Sequence, residues 1–215
     1  YLREKQTEIR STPNETKNYL QTPKIAISGK QLQFFLGVAG VGCCIAMAMP
    51  QVHIVAYCVG LGYGPTIGAE MLSLMLACGV ISRISFGICA DRLGGFYTLI
   101  LSSTLQMLSL FLFLPFNGMV SLYVVSAIFG LSQGGIVPSY TMVVREFLPA
   151  NEAGQRIGIV LMLTIFGMAI GGWMSGWIFD QTGSYQIAFL NGILWNVFNL
   201  AILVWLFIRM RKGYA

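Results

Sequence analysis

Long apolar runs separated by short polar breaks occupy the chain from about residue 33 onward. The first covers about Gln33–Val59 and contains Pro50, which predicts a kink because proline has no N–H to give the preceding turn. It ends at Gly60-Leu-Gly-Tyr-Gly-Pro65. Further runs cover about Thr66–Ala90, Phe96–Leu114, Met119–Val144, Ile157–Phe179 and Tyr185–Ile208. The breaks between them are Asp91–Gly95, Pro115–Gly118, Arg145–Arg156 and Asp180–Ser184. An α-helix needs about 20 apolar residues to cross about 30 Å of hydrocarbon. Each run is long enough, or within a turn of it, so the pattern predicts six transmembrane helices. Helices satisfy their own backbone groups, which lipid cannot do.

Composition supports an all-α polytopic membrane protein. Hydrophobic residues make up 56% of the 215 residues and charged residues only 10%, against roughly 25% in a soluble domain. The charges are also segregated. No Asp, Glu, Lys or Arg occurs in 31–69, 93–144, 157–179 or 181–208. Residues 1–32 are polar and read as a flexible, solvated cytoplasmic segment. Residues 33–210 form the membrane bundle, and 211–215 a cytoplasmic tail. The chain opens on Tyr1 in a polar segment and reads as part of a longer protein. The five cysteines, Cys43, Cys44, Cys58, Cys78 and Cys89, lie in apolar runs with no metal-ligand spacing, and read as small buried hydrophobes.

Lys and Arg placement gives an orientation. Apart from Arg83, every basic residue falls in the N-terminal segment, the second-to-third loop, the fourth-to-fifth loop or the C-terminal end. The breaks at 60–65, 115–118 and 180–184 carry none. Six spans put both ends on one side, and positive charge marks that side as cytoplasmic. The net charge of +5 reflects this asymmetry; no basic face on a soluble domain exists to bind nucleic acid. The lipid bilayer is the expected partner.

Polar groups at membrane depth are few. Arg83 is the one cation there, and burying it calls for a partner. Glu70 and Asp91 are too far along the helix axis to supply one. Gly79 and Gly87, four residues to either side, leave space beside the guanidinium. A planar fork beside a cavity suits a carboxylate; snorkelling to the interface, or pairing with a bundle outside this chain, is the alternative. His53, the only histidine, is a weaker candidate for substrate or proton contact, with structural hydrogen bonding as the alternative. Glu70 reads as an interfacial carboxylate, and Gln133, Asn191 and Asn196 as interhelical hydrogen-bonding groups. Small residues at four-residue spacing (Gly130 and Gly134; Gly167, Gly171, Gly172 and Gly176) predict close helix packing.

The cytoplasmic turn Gly87-Ile-Cys-Ala-Asp91-Arg92-Leu-Gly94-Gly95 is more specific. An Asp at a helix C-terminus is unfavourable unless it faces a cation or another helix's N-terminus, so the turn implies a docking partner. It resembles the Gly-x-x-x-Asp-Arg-x-Gly signature of the major facilitator superfamily, between the second and third helices of a half. The resemblance departs afterwards, with Gly95-Phe96 where the family has basic residues. Pro138, Glu146-Phe-Leu-Pro149 and Gly176-Trp-Ile-Phe-Asp180-Gln-Thr-Gly183 also look like the family's helix ends. The resemblance implies the C-terminal six-helix bundle of a major facilitator fold, with residues 1–32 joining it to an N-terminal six-helix half. It implies alternating access, with Gly87, Asp91, Arg92 and Gly94 as a conformational latch. The flavour is similar to the monocarboxylate transporter and oxalate:formate antiporter branches. That likeness implies Arg83 as the anchor for a small organic anion. No lysine lies in 157–179, which favours a monocarboxylate over a dicarboxylate, moved by symport with protons or by antiport.

The alternatives are a transporter of neutral solutes or drugs with Arg83 structural, and a six-span assembly or sensory module without transport. No phosphate-binding glycine loop, nucleophile elbow, metal cluster or carboxylate pair stands out. No cofactor, metal or enzymatic chemistry is expected.

Overall fold

A computed structural model describes residues 27–212, with side chains to 210. Most of the predicted N-terminal loop and the end of the predicted tail therefore lie outside the described residues. Helices account for nearly all of the rest: α1 Gly29–Gly60, α2 Pro65–Leu93, α3 Gly95–Leu112, α4 Met119–Gln133, α5 Ile136–Phe147, α6 Ala153–Thr182 and α7 Tyr185–Lys212. Among the described residues there is no strand. With α4 and α5 taken as one span, six helices are long and apolar enough to cross a membrane.

The fourth span is not continuous. It breaks at Gly134-Gly135, where the pattern of apolar residues predicts an unbroken helix. Pro138 explains part of this: it has no N–H for the Gly134 carbonyl one turn earlier. Pro50, by contrast, is accommodated inside α1. The second loop is also tighter than predicted. Asp91 and Arg92 still belong to α2, and the reversal rests on Gly94, whose φ of 87° suits a residue without Cβ.

The spans alternate in direction, and contacts at the two ends fix that alternation. At one end Phe96 stacks with Phe207, 6.0 Å between centroids, and Phe147 meets Phe96 edge-on. The Arg156 guanidinium donates to Gln33 Oε1 at 2.6 Å and to Glu152 through Nε at 2.9 Å, tying the start of α6 to α1. At the other end Tyr63 OH donates to the Asn117 carbonyl at 3.0 Å, and Tyr185 stacks on Phe179 at 4.0 Å.

Helix α1 is the centre of the bundle, buried along most of its length against α6, α7 and α2. It can sit there because its packing face is small. Gly37, Ala39, Gly40, Gly42, Cys43, Cys44, Ala46 and Ala48 are all buried, so neighbouring backbones come close without cavities. The glycines of α6 and α4 meet that requirement to different degrees. A Cβ added at Gly167 would lie 2.7 Å from the Val41 carbonyl oxygen, and one at Gly171 would lie 2.5 Å from that of Ile45. At Gly134 it would meet the Gly79 carbonyl oxygen at 2.5 Å, and Gly130 is closed in by Met75. Gly172 and Gly176 face only the side chains of Val52 and His53, at 3.3 and 3.4 Å. Four of the six predicted packing glycines therefore stand at backbone-to-backbone contacts.

Buried polar pairs link the remaining helices. Gln106 of α3 accepts from the Cys43 thiol at 3.1 Å and donates to the Cys43 carbonyl at 3.3 Å. Tyr140 OH donates to Asn199 Oδ1 at 2.9 Å. Asn196, expected to bond between helices, finds no partner for either side-chain atom among the described residues, and neither does Asn191 Nδ2. This face of α7 approaches α1 at Gly42 and Ala46, whose backbone groups are already committed within their own helix.

Candidate functional site: a cavity at the middle of the bundle

Three helices meet at one level of the bundle. Gly79 is the central residue of α2, and Gln133 is the central residue of the fourth span, at its break. Gln51 follows Pro50 in α1. Gln51 Nε2 donates to Gln133 Oε1 at 2.7 Å, so the first span, one residue past Pro50, and the broken fourth span are joined there.

A cavity of about 50 Å³ opens beside this bond, lined by Met47, Gln51, Gly79, Arg83, Gln133 and Val137, among others. Its volume is that of one or two waters in the liquid, too small to hold an organic acid between the described residues as they stand. Arg83 lies one turn below Gly79 and is exposed. The only ion pair among the described residues joins Arg156 to Glu152, so Arg83 has no carboxylate partner among them. The absence of a side chain at Gly79 keeps the space above the guanidinium open. The nearest atoms to an added Cβ there are Gly130 O at 3.8 Å and Gln133 Nε2 at 3.9 Å.

The one charge on this wall is positive, and its remaining polar groups are amides. Arg83 contributes a permanently charged fork, and Gln133 and Gln51 contribute neutral amides. No carboxylate lines the cavity. Such a surface has charge to complement an anion and none to neutralise a cation.

The other predicted site residues lie elsewhere. His53 Nε2 is 2.9 Å from the Gly172 carbonyl oxygen, and its ring packs 5.8 Å from that of Tyr185. It does not line the Arg83 cavity. Glu70 accepts a hydrogen bond from the Tyr123 hydroxyl at the opposite end of α2 from Asp91. Asp91 and Arg92 are exposed on the last turn of α2 and form no ion pair among the described residues. Gly87 faces open space. The group found at a helix N-terminus here is Glu146: its Oε1 accepts from the Gly95 N–H, the first residue of α3, at 2.8 Å. A carboxylate at that position is favoured by the helix dipole and by the unpaired N–H groups.

The sequence pattern does not single out Gln51, and it marks Gln133 as an interhelical hydrogen-bonding group, which its bond to Gln51 bears out. The signal that finds them is a polar residue at depth next to a helix breaker. Gln51 follows Pro50, and Gln133 precedes Gly134-Gly135. Broken helices are where membrane proteins expose backbone and polar groups to a central cavity.

Two other faces are notable for what they leave uncovered. On α6, Ile165, Phe166, Trp173 and Trp177 are exposed, with Trp173 at 70%. On α2, Val80, Ile81, Ile84 and Ile88 are exposed around Arg83.

The profile described as Major Facilitator Superfamily matches residues 34–214. Monocarboxylate transporter 13 of Rattus norvegicus is 29% identical over 144 residues, covering 66% of this chain and 34% of that protein. A gallate transporter of Pseudomonas putida is 28% identical over 133 residues, covering 61% of this chain and 28% of that protein. The chain thus spans about a third of the length of these relatives. A crystal structure of the peptide transporter POT in complex with alafosfalin superposes with a TM-score of 0.72 at 18% identity, covering 80% of this chain and 37% of that one. This last likeness concerns the fold alone.

Proposed function

Since the chain belongs to the Major Facilitator Superfamily, we propose that it is the C-terminal six-helix half of a secondary transporter that carries a small organic anion, with Arg83 as the charged anchor. The observation that carries this reading is the placement of Arg83: a cation without a carboxylate partner among the described residues, on a cavity lined by two amides and no carboxylate, where the first span meets the broken fourth one. Transporter sites characteristically sit near the bilayer midplane at discontinuous helices. The relatives named for monocarboxylates and for gallate support an organic acid as cargo. One cation on this wall favours a single carboxylate.

The exposed apolar faces of α2 and α6 then pack against the N-terminal six-helix half, which closes the cavity and rocks against this bundle in alternating access. The end of the bundle bearing Lys30, Arg92, Arg145, Arg156 and Arg209 faces the cytoplasm, by the preference of basic loops for that side. Gly87, Asp91, Arg92 and Gly94 act as a latch there through contacts with the other half. Coupling runs through protons or through exchange of a second anion.

The test is uptake by the full-length protein reconstituted in vesicles. Labelled lactate, pyruvate, formate and oxalate are offered to wild type and to Arg83→Lys, which keeps the charge but loses the bidentate fork. Hydrogen bonds to charged groups contribute about 1.5–3 kcal/mol. Loss of one such bond lowers uptake of the carried acid by at least about tenfold. Unchanged uptake of every acid in Arg83→Lys refutes the anchor and leaves Arg83 as an ion-pairing residue for the other half. Uptake of neutral solutes with none of acids favours the neutral-solute reading.

A further inference from the structure

We infer that Gln133 is a second substrate contact, a neutral donor that binds the anion together with Arg83, and that Gln51 is the positioning residue that aims it. This inference rests on the anion reading of Arg83 and adds residues that the reading did not need.

The geometry points to Gln133 through its hydrogen bonds. An amide side chain has an accepting end and a donating end. The accepting end of Gln133 is occupied by Gln51 Nε2 at 2.7 Å. Its Nε2 end has no hydrogen-bond partner among the described residues, yet it is not among the buried side-chain atoms left without one. The residue as a whole is 5% exposed, and it lines the cavity. Nε2 is directed at the space left by Gly79, 3.9 Å from where a Cβ would stand. Arg83 lines the same cavity one turn away. A buried amide with unmade hydrogen bonds is costly in an apolar setting. One aimed into a cavity beside a guanidinium is held ready for an acceptor.

Gln51 makes this arrangement directional. Without it the Gln133 amide is free to turn and present its oxygen, which repels an anion. With it, the donors face the cavity whenever α1 and α4 are in register. The site then reads a carboxylate at two points: a charged fork that supplies attraction and a fixed neutral amide that supplies geometry.

The experiment measures concentration-dependent uptake in the full-length protein for wild type, Gln133→Leu, Gln133→Glu and Gln51→Leu, using whichever labelled carboxylate the wild type carries. Gln133→Leu removes the donors. Gln133→Glu keeps the shape and the acceptor for Gln51 but replaces the donors with negative charge. Gln51→Leu leaves the donors and removes only their orientation. The expected result is a KM raised about tenfold in Gln133→Leu, raised further in Gln133→Glu, and raised by about threefold in Gln51→Leu, with maximal rate within twofold of wild type throughout. A raised KM with the maximal rate preserved marks a lost binding contact; a fall in maximal rate alone marks a structural role. KM within twofold of wild type in both Gln133 variants overturns the assignment, as does loss of all uptake in both. If Gln133→Leu fails to reach the membrane, the near-isosteric Gln133→Glu carries the test. A wild type that carries no carboxylate overturns the anion reading of Arg83 itself, and this inference with it. Carboxylate uptake with an unchanged KM overturns only the role of Gln133.

Discussion

Gly171→Ala tests whether the bundle is held by backbone contact between α1 and α6. These two helices make the most extensive pairing in the bundle. At Gly171 the added methyl would lie 2.5 Å from the Ile45 carbonyl oxygen, 2.7 Å from Ile45 Cα and 3.0 Å from Ala48 Cβ. The first two are backbone atoms in the middle of a buried helix and cannot turn aside. Helix α6 must move outward by roughly 0.5–1 Å, a gap that forfeits a quarter to a half of the dispersion energy of the contacts it opens. Overpacking of this kind costs about 1–3 kcal/mol. Replacing glycine by alanine inside a helix returns up to about 1 kcal/mol. The expected net loss is about 1–2 kcal/mol, or roughly 1–4 °C in the melting temperature of a full-length protein about twice this length. Gly158→Ala is the control on the same helix. Nothing lies within 4 Å of its added Cβ, so only the helix-propensity gain remains and the melting temperature stays level or rises. The assay is thermal unfolding of the purified full-length protein, followed with a thiol-reactive dye that reports exposure of the buried Cys43, Cys44 and Cys58. If Gly171→Ala melts at or above Gly158→Ala, the close approach of α1 and α6 is not what holds the bundle.

Two further predictions use the same assay. Glu146→Ala removes the acceptor at the start of α3 and costs about 1 kcal/mol, the usual worth of a helix N-terminal partner. Glu146→Gln keeps an acceptor oxygen and melts within about 1 °C of wild type; equal losses in the two variants refute the hydrogen-bond role. Tyr140→Phe strands Asn199 Oδ1, next to an Nδ2 that already lacks a partner among the described residues, and destabilises by about 1–3 kcal/mol. Adding Asn199→Leu removes the stranded group and recovers part of that loss; additive losses refute the pairing.

The parts of the fold legible in the sequence are those that lipid enforces locally. An apolar run with no charge has one way to satisfy its backbone in hydrocarbon, so the spans at Gln33–Val59 and Tyr185–Ile208 could be read by length alone. The Gly94 turn was legible because a reversal between two helices needs a residue free to take positive φ. The spacing of Gly167 and Gly171 announced close packing. It could not distinguish them from Gly172 and Gly176, because the difference lies in whether the facing atoms belong to Ile45 backbone or to the His53 ring. That depends on the rotation of α6 about its own axis, which periodicity does not specify.

The candidate site divides the same way. Arg83 was legible from one residue's chemistry, since a lone cation at membrane depth is conspicuous wherever it falls. Gln51 and Gln133 stand 82 residues apart, and nothing local to either names the other. By itself the sequence marked six apolar runs long enough to cross a membrane and one guanidinium inside such a run, because a backbone group or a charge is costly to leave in hydrocarbon. Only the tertiary structure decided that Gln51, just past Pro50, and Gln133, at the break before Gly134, meet at one level. Packing between small residues sets the depth and rotation of each helix, and so sets which polar side chains share the cavity with Arg83.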